Sequence, residues 1–217
     1  MQNVFSYLFD LFSPKQNFTY SSVFQYLSDA EIDSQNFTFK DLDLEQLKYI
    51  ESIFVASSYH SKIIRDLILR AKFCGETSIC EDLGRLIYKK IQPSDIPKPD
   101  LIVPVPADPK RLLIRGFHLP YILADKLSVL ENVKSVSVFY KVKNTVQQIL
   151  LDRENRLYNL NGCFALRKRL DINFAKYSTV WIVDDLTTTG STLVECAKVL
   201  KLEYPFLKIY GVVVASN

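Results

Sequence analysis

Near the carboxyl end of the sequence, Val180-Trp181-Ile182-Val183 runs straight into two acids, Asp184 and Asp185, and then into Leu186-Thr187-Thr188-Thr189-Gly190-Ser191-Thr192. A short apolar run bounded by polar residues reads as a buried strand, expected over 179–183. The small residues after it form a tight loop, and the apolar spacing over 191–200 predicts a helix. Strand leading directly to helix is the unit of a parallel sheet, because a parallel neighbour is reached only by a crossover, usually helical.

The rest of the second half repeats that alternation. Strands are expected over 101–106, 136–140 and 209–215, and a helix over 120–130 with Pro120 tolerated in its first turn. Ile63, Ile64, Leu67, Ile68 and Ala71 recur at helical spacing, with Gly75 as a stop. Ile79, Leu83, Leu86 and Ile87 carry a second helix to near Ile91, and Pro93, Pro97 and Pro99 mark a linker. Residues 141–166 are polar without a sustained apolar period and read as a long arm or loop of the kind that often forms lids. Residues 1–55 differ in texture, being rich in Phe, Tyr, Ser, Asn and Gln. There Asp43 caps a helix through Gln46, ahead of Leu47 and Ile50, and 53–57 reads as a strand. The division expected is a small aromatic-rich lobe over 1–55 and an α/β domain over 56–217, a parallel sheet flanked by helices with ligands gathered at the carboxyl ends of its strands.

Composition narrows the function classes. With 48% hydrophobic residues among 217, a sizeable core is expected. A net charge of +3 is too small to argue for nucleic-acid binding by itself. The four cysteines, Cys74, Cys80, Cys163 and Cys196, form no CxxC pair and read as buried thiols in a reducing compartment. No run approaches the roughly 20 apolar residues that span a bilayer. The apolar stretch over 4–12 lacks the basic and small-residue flanks of a signal peptide. A cytoplasmic protein without an integral membrane segment is expected.

The 184–192 segment carries the chemistry. Unpaired N–H groups and the positive dipole end at a helix N-terminus favour an anion. Thr187, Thr188, Thr189, Ser191 and Thr192 add hydroxyl donors for phosphate oxygens, and Gly190 permits close approach or positive φ. Asp184 and Asp185 can accept from vicinal ribose hydroxyls, and their charge suits a site where magnesium bridges sugar and pyrophosphate. Simple helix capping would need only one such residue. The lysine of a nucleotide P-loop is missing, so the segment is not that motif, and phosphate binding is the expectation.

These residues resemble the phosphoribosyl pyrophosphate motif of the type I phosphoribosyltransferases, and further stretches narrow the resemblance to the ComF-like branch. Val103-Pro104-Val105-Pro106 with Pro109-Lys110-Arg111 and Arg115-Gly116-Phe117 is similar to that branch's first-strand signature. Thr145, Gln148, Leu151, Arg156, Asn159, Gly162 and Phe164 match its arm in spacing, and residues 59–75, ending Lys72-Phe73-x-Gly75, resemble the helix after its N-terminal module. Two departures stand out. The family's cysteine-rich zinc module has no counterpart, since residues 15–50 contain no cysteine, and no zinc is expected. His118-Leu119 stands where Asn-Gln is usual; His118 reads as a surface or helix-entry residue rather than an acid or base.

The resemblance implies a phosphoribosyltransferase, a magnesium-dependent glycosyltransferase moving ribose 5-phosphate from phosphoribosyl pyrophosphate to a nitrogen acceptor. Asp184 and Asp185 would hold the ribose hydroxyls, with magnesium brought by the substrate and no direct side-chain ligation. Residues 187–192 would cradle the 5′-phosphate, and the pyrophosphate would sit near Ala107 and Asp108 with Lys110 and Arg111 close. Arg115 and the arm carrying Lys141, Lys143 and Arg156 would close over the leaving group. The alternative is a non-catalytic module that binds a phosphoribosyl group, a nucleotide or single-stranded DNA in DNA uptake (competence). With Asn217 directly after the last strand, an acceptor hood is expected from residues 1–60, whose Phe18, Tyr20, Phe24, Tyr26, Phe37 and Phe39 either stack on a base or fill the lobe's core. A homodimer is the expected assembly if the chain associates.

Overall fold

The computed structural model describes residues 37–74, 76–142, 162–168 and 172–217. Their elements run β1 (Thr38–Phe39), β2 (Ser52–Ser58), α1 (Lys62–Cys74), α2 (Thr77–Ile91), β3 (Leu101–Pro104), α3 (Pro109–Arg115), α4 (Leu119–Glu131), β4 (Lys134–Ser135), β5 (Phe139–Lys141), β6 (Phe164–Leu166), β7 (Thr179–Thr187), α5 (Ser191–Glu203) and β8 (Lys208–Ser216). Six strands form one sheet in the order β1-β2-β8-β7-β3-β4, and β5 and β6 form a second, two-stranded antiparallel sheet. Every pairing in the large sheet is parallel except β1 with β2. The chain is thus an α/β protein with a mostly parallel sheet flanked by helices.

Side-chain alternation along the strands divides the interior into two cores. Phe54 and Ala56, Ile102, Trp181 and Val183, and Val212 and Val214 pack with α1, α2 and α4. Their neighbours Ile53 and Val55, Leu101 and Val103, Val180 and Ile182, and Ile209 and Val213 pack with α5 and with Phe139 and Phe164 of the small sheet. Burial on both faces explains why the central strands read as continuous apolar runs rather than as alternating ones.

Several expectations are sharpened or corrected. The stretch 136–140, expected as one strand, is split. Lys134 and Ser135 pair with Leu101 and Ile102 at the sheet edge. The chain then leaves the edge, buries Val138, and starts the separate β5–β6 pair at Phe139. The apolar character of 136–140 reflects burial in the second core, not one continuous ladder. Residues 109–115, given no element from the sequence, form α3. The arm expected over 141–166 ends in a strand, β6; its residues 143–161, with Lys143, Thr145, Gln148, Leu151, Arg156 and Asn159, lie outside the described residues. So do Phe18, Tyr20, Phe24 and Tyr26. Residue 55, where the lobe was expected to end, falls inside β2. Phe37 and Phe39 pack edge-to-face on one another, and both rings meet Phe54 of β2.

The topology fixes where a ligand can lie. From β3 the chain proceeds through α3 and α4 to β4 on one side, whereas from β7 it proceeds through α5 to β8 on the other. The connections diverge between β3 and β7, which opens a crevice at their carboxyl ends.

Candidate functional site

Two loops flank that crevice. Pro104 pairs with Val183, and the Val105 N–H donates to the Val183 carbonyl at 2.9 Å, so the 105–108 loop begins beside Asp184 and Asp185. The 188–190 loop leaves the end of β7 and enters α5.

The strand expected to end at Val183 continues to Thr187, with Asp184 in register with Val213 and Thr187 with Ser216. The acids are therefore strand residues. Asp185 shares the face of Trp181 and Val183 and meets α1, where the Lys72 ammonium lies 2.5 Å from its Oδ2. That oxygen is buried, and the Lys72 ammonium is its partner. Asp184 leaves the strand on the opposite side, but its Oδ1 turns along the chain and accepts the Asp185 N–H at 2.8 Å.

The two carboxyls consequently differ in acidity. Burial, and then the neighbouring Asp185 charge, push Asp184 well above the usual carboxylate range. Burial pushes Asp185 up as well, but the Lys72 ammonium more than offsets it, helped by Asp184 and His118, and Asp185 lies below its ordinary value. Asp185 is thus the more acidic member of the pair.

The hydroxyl loop is largely self-bonded. The buried Thr187 accepts the Gly190 N–H on its Oγ1 at 3.0 Å. Thr189 and the buried Ser191 share a hydroxyl–hydroxyl bond of 2.8 Å, and Thr189 Oγ1 also accepts the Ser191 N–H at 3.4 Å. Thr188, Thr189 and Thr192 are half-buried. Gly190 has φ 78°, and a Cβ there would lie 2.8 Å from Ile53 Cδ1, so both conformation and space demand glycine.

The 105–108 loop is pinned from behind. Because a carbonyl only accepts, the 3.1 Å contact between His118 Nε2 and the Val105 carbonyl places the proton on Nε2. The His118 ring packs edge-on against Tyr121, whose hydroxyl accepts the Ala107 N–H at 3.4 Å. His118 is thus at the entry of α4, where it orders a loop. Asp108 accepts the Lys110 N–H at the start of α3 and pairs with Lys141 at 2.9 Å. Lys110 is exposed and Ala107 buried; Arg111 and Arg115 lie on α3. The structure thus gathers Asp184, Asp185, Thr187, Thr188, Thr189, Gly190, Ser191 and Thr192 at one end of β7, with Ala107, Asp108 and Lys110 on the adjoining loop. Among the described residues no group of three or more His, Cys, Asp or Glu side chains could hold a metal ion.

Two contributors escaped the sequence reading. Lys72 continues the Ile64–Ile68 row at the next helical step, and a charge interrupting an apolar row at a helix end was the signal available. Gln46 was read as part of a cap. It does cap: its N–H donates to Asp43 Oδ1 at 2.9 Å, and its Oε1 accepts the Asp43 N–H at 3.1 Å. Yet its Nε2 also reaches the Thr189 carbonyl at 3.3 Å, a contact spanning 143 positions that no local pattern reveals.

The three cysteines with described side chains, Cys80, Cys163 and Cys196, are buried and in no disulfide. Burial pushes the Cys80 thiol up to about 11 and Cys196 well above its ordinary value, so both are inert at neutral pH. No helix among the described residues is long and apolar enough to cross a membrane.

No protein-family model matches the chain. Competence protein F of Haemophilus influenzae is 32% identical to it over 151 residues, covering 67% of this chain and 65% of that protein. The DNA utilization protein YhgH of Salmonella typhi is 32% identical over 139 residues, covering 62% of this chain and 59% of that protein. YhgH of Escherichia coli K12 has the same identity and coverage. The chain therefore spans less than two thirds of the length of these relatives, and what it is similar to is a set of proteins named for competence and for DNA utilization.

Proposed function

We propose that the crevice between β3 and β7 binds phosphoribosyl pyrophosphate with magnesium, and that the protein transfers ribose 5-phosphate from it to a nitrogen acceptor. One observation carries the reading: two adjacent carboxyls, one ionised against Lys72 and the other turned along β7, lie at the sheet's switch point beside a hydroxyl loop that opens a helix. Such a helix entry favours phosphate. Asp184 and Asp185 would accept from the ribose hydroxyls. Thr188, Thr189 and Thr192 would donate to the 5′-phosphate, with Thr187, Gly190 and Ser191 shaping the loop.

The leaving pyrophosphate would lie at 105–108, where Lys110, Arg111 and Arg115 follow on α3. Magnesium would enter on the substrate's own oxygens near Asp184 and Asp185, supplying positive charge for the departing group. In the transfer the C1–pyrophosphate bond breaks, a C1–nitrogen bond forms, and the acceptor nitrogen loses a proton. Basic side chains around 105–115 would stabilise the negative charge that grows on pyrophosphate.

A second reading is favoured by the names of the relatives, a competence protein and DNA utilization proteins. In it the crevice holds a phosphoribosyl group, a nucleotide or single-stranded DNA without turnover, in the service of DNA uptake. Calorimetric titration with phosphoribosyl pyrophosphate, with and without magnesium, tests what the readings share. Saturable binding is expected, weakened at least ~100-fold in Asp184→Asn/Asp185→Asn, since the carboxylate charge is lost and one acceptor oxygen of each acid becomes a donating amide nitrogen. No binding by folded protein sinks the phosphoribosyl site. Pyrophosphate release across a panel of purine, pyrimidine and amine acceptors then selects the enzyme. Silence with ligand binding intact selects the module, for which single-strand binding falling steeply with salt is the further sign.

A further inference from the structure

The Thr189–Gly190 peptide unit is held at both poles. Its carbonyl accepts from Gln46 Nε2 at 3.3 Å, and its N–H donates to Thr187 Oγ1 at 3.0 Å. A trans peptide directs these two groups oppositely, so fixing one fixes the other. Gln46 is itself fixed. It is buried, and the two reciprocal bonds to Asp43 leave its amide nitrogen facing the loop. Around the same peptide, Leu42 Cδ2 and Ile53 Cδ1 close the space where Gly190 would carry a Cβ. Lys40 ties the segment to the sheet, its N–H on the Ile53 carbonyl near the start of β2 and its Nζ on Ser216 Oγ at the carboxyl end of β8, at 3.0 Å.

We infer that Gln46 is a positioning residue for the 187–192 loop, and that residues 40–50 form a brace which sets that loop for a phosphate before any ligand arrives. The inference rests on the reading that a 5′-phosphate sits in this loop. A loop held in its bound shape loses less entropy on binding, so the brace contributes to affinity without touching the ligand. By linkage, a ligand in the loop must in turn strengthen the docking of 40–50.

The test uses ribose 5-phosphate and inorganic pyrophosphate as separate probes on the full chain. Gln46→Glu keeps the acceptor for the Asp43 N–H, removes the donor to Thr189 and adds a negative charge, so the neutral methionine variant is the decisive one. Gln46→Met keeps the buried volume and removes both bonds. Calorimetry should show ribose 5-phosphate bound about 10-fold more weakly by both variants, the scale of one lost hydrogen bond. Pyrophosphate, which occupies the other loop, should be held within about twofold of wild type in that comparison. Thermal melts identify folded samples, and if the glutamate variant does not fold, the methionine variant carries the test. Unchanged affinity for ribose 5-phosphate in a folded variant overturns the inference and leaves the proposed ligand standing. Equal loss for both probes also overturns it, since that is general loosening. If wild-type protein binds neither probe, the proposed phosphate loop fails and the brace falls with it.

Discussion

The two ends of the parallel sheet treat polar groups differently. At the amino end, Asp100 accepts the Ser178 and Thr179 N–H groups at 2.8 and 2.9 Å, and the Trp181 indole N–H donates to the Pro97 carbonyl at 3.0 Å. Each group there matches a partner that the fold itself requires. At the carboxyl end, Asp184 and Asp185 adjoin, the buried Asp185 carboxylate pairs with Lys72, and Asp108 pairs with Lys141. Folding alone rewards the first arrangement and penalises the second, because adjacent acids, of which Asp185 is buried and Asp184 half-buried, cost desolvation and repulsion. Groups that a fold carries at a cost are candidates for a binding site, and in this sheet they gather at the carboxyl end.

The largest effect expected from breaking this contrast is at Lys72. Removing one partner of a half-buried pair leaves the other charge stranded, which costs about 3 kcal/mol in a closed interior. Lys72 is 22% exposed, so water screens part of that, and Lys72→Met should destabilise by roughly 2 kcal/mol at neutral pH in urea unfolding. Because the folded state holds Asp185 below its ordinary value, its stabilisation is present above the unfolded carboxylate range and is lost as pH falls through the lowered folded value. The gap between wild type and variant should therefore close in acid. A gap that stays constant with pH would show that Lys72 acts by packing.

The next effect pits one end of the sheet against the other. Asp184 and Asp100 are both aspartates, yet removing their charges should move stability in opposite directions. The raised folded value of Asp184 means its contribution is intact below the unfolded carboxylate range and is lost as pH rises through the folded value. Asp184→Asn should thus be more stable than wild type by about 1 kcal/mol at pH 8, a difference that vanishes near pH 3. Asp100→Ala forfeits two backbone bonds and should lose about 1 kcal/mol at pH 8. If both variants lose stability alike, the contrast between the two ends is wrong.

The sequence made the frame legible because the frame is periodic. Buried runs such as 179–183 and 209–215 and the helical rows from Ile63 to Ile91 declare strands and helices by spacing alone. The placing of 184–192 between a buried strand and a helix was legible as well, and its two acids and five hydroxyl residues in nine positions exceed what a helix cap uses. What stayed hidden depends on distance or on competition. The strand reaches Thr187 because β8 offers partners out to Ser216, and no local rule predicts a ladder continuing through two acids. Lys72 and Gln46 reach their partners from elements far away in sequence. The stretch 136–140 misled because its apolar side chains serve the second core while its backbone is divided between two sheets.

The smallest effect expected tests whether the carboxyl end is poised for anions on its β3 side as well. Asp108 carries charge into the loop where pyrophosphate is proposed to lie, and there it pairs with Lys141 at 2.9 Å. Its Oδ1 also accepts the Lys110 N–H, a bond that an amide oxygen can keep. Asp108→Asn therefore removes a negative charge while preserving the entry to α3, and it leaves the Lys141 charge uncompensated by this acid. Pyrophosphate should bind roughly threefold to fivefold more tightly at low ionic strength, and the gain should shrink toward 1 M salt as the charges are screened. Calorimetry at two salt concentrations reads this directly. Weaker binding in the variant would mean that the Asp108 carboxylate helps to hold the ligand, as a metal-bridged anion would require, and the two sides of the crevice would then work alike, each presenting acids to the substrate.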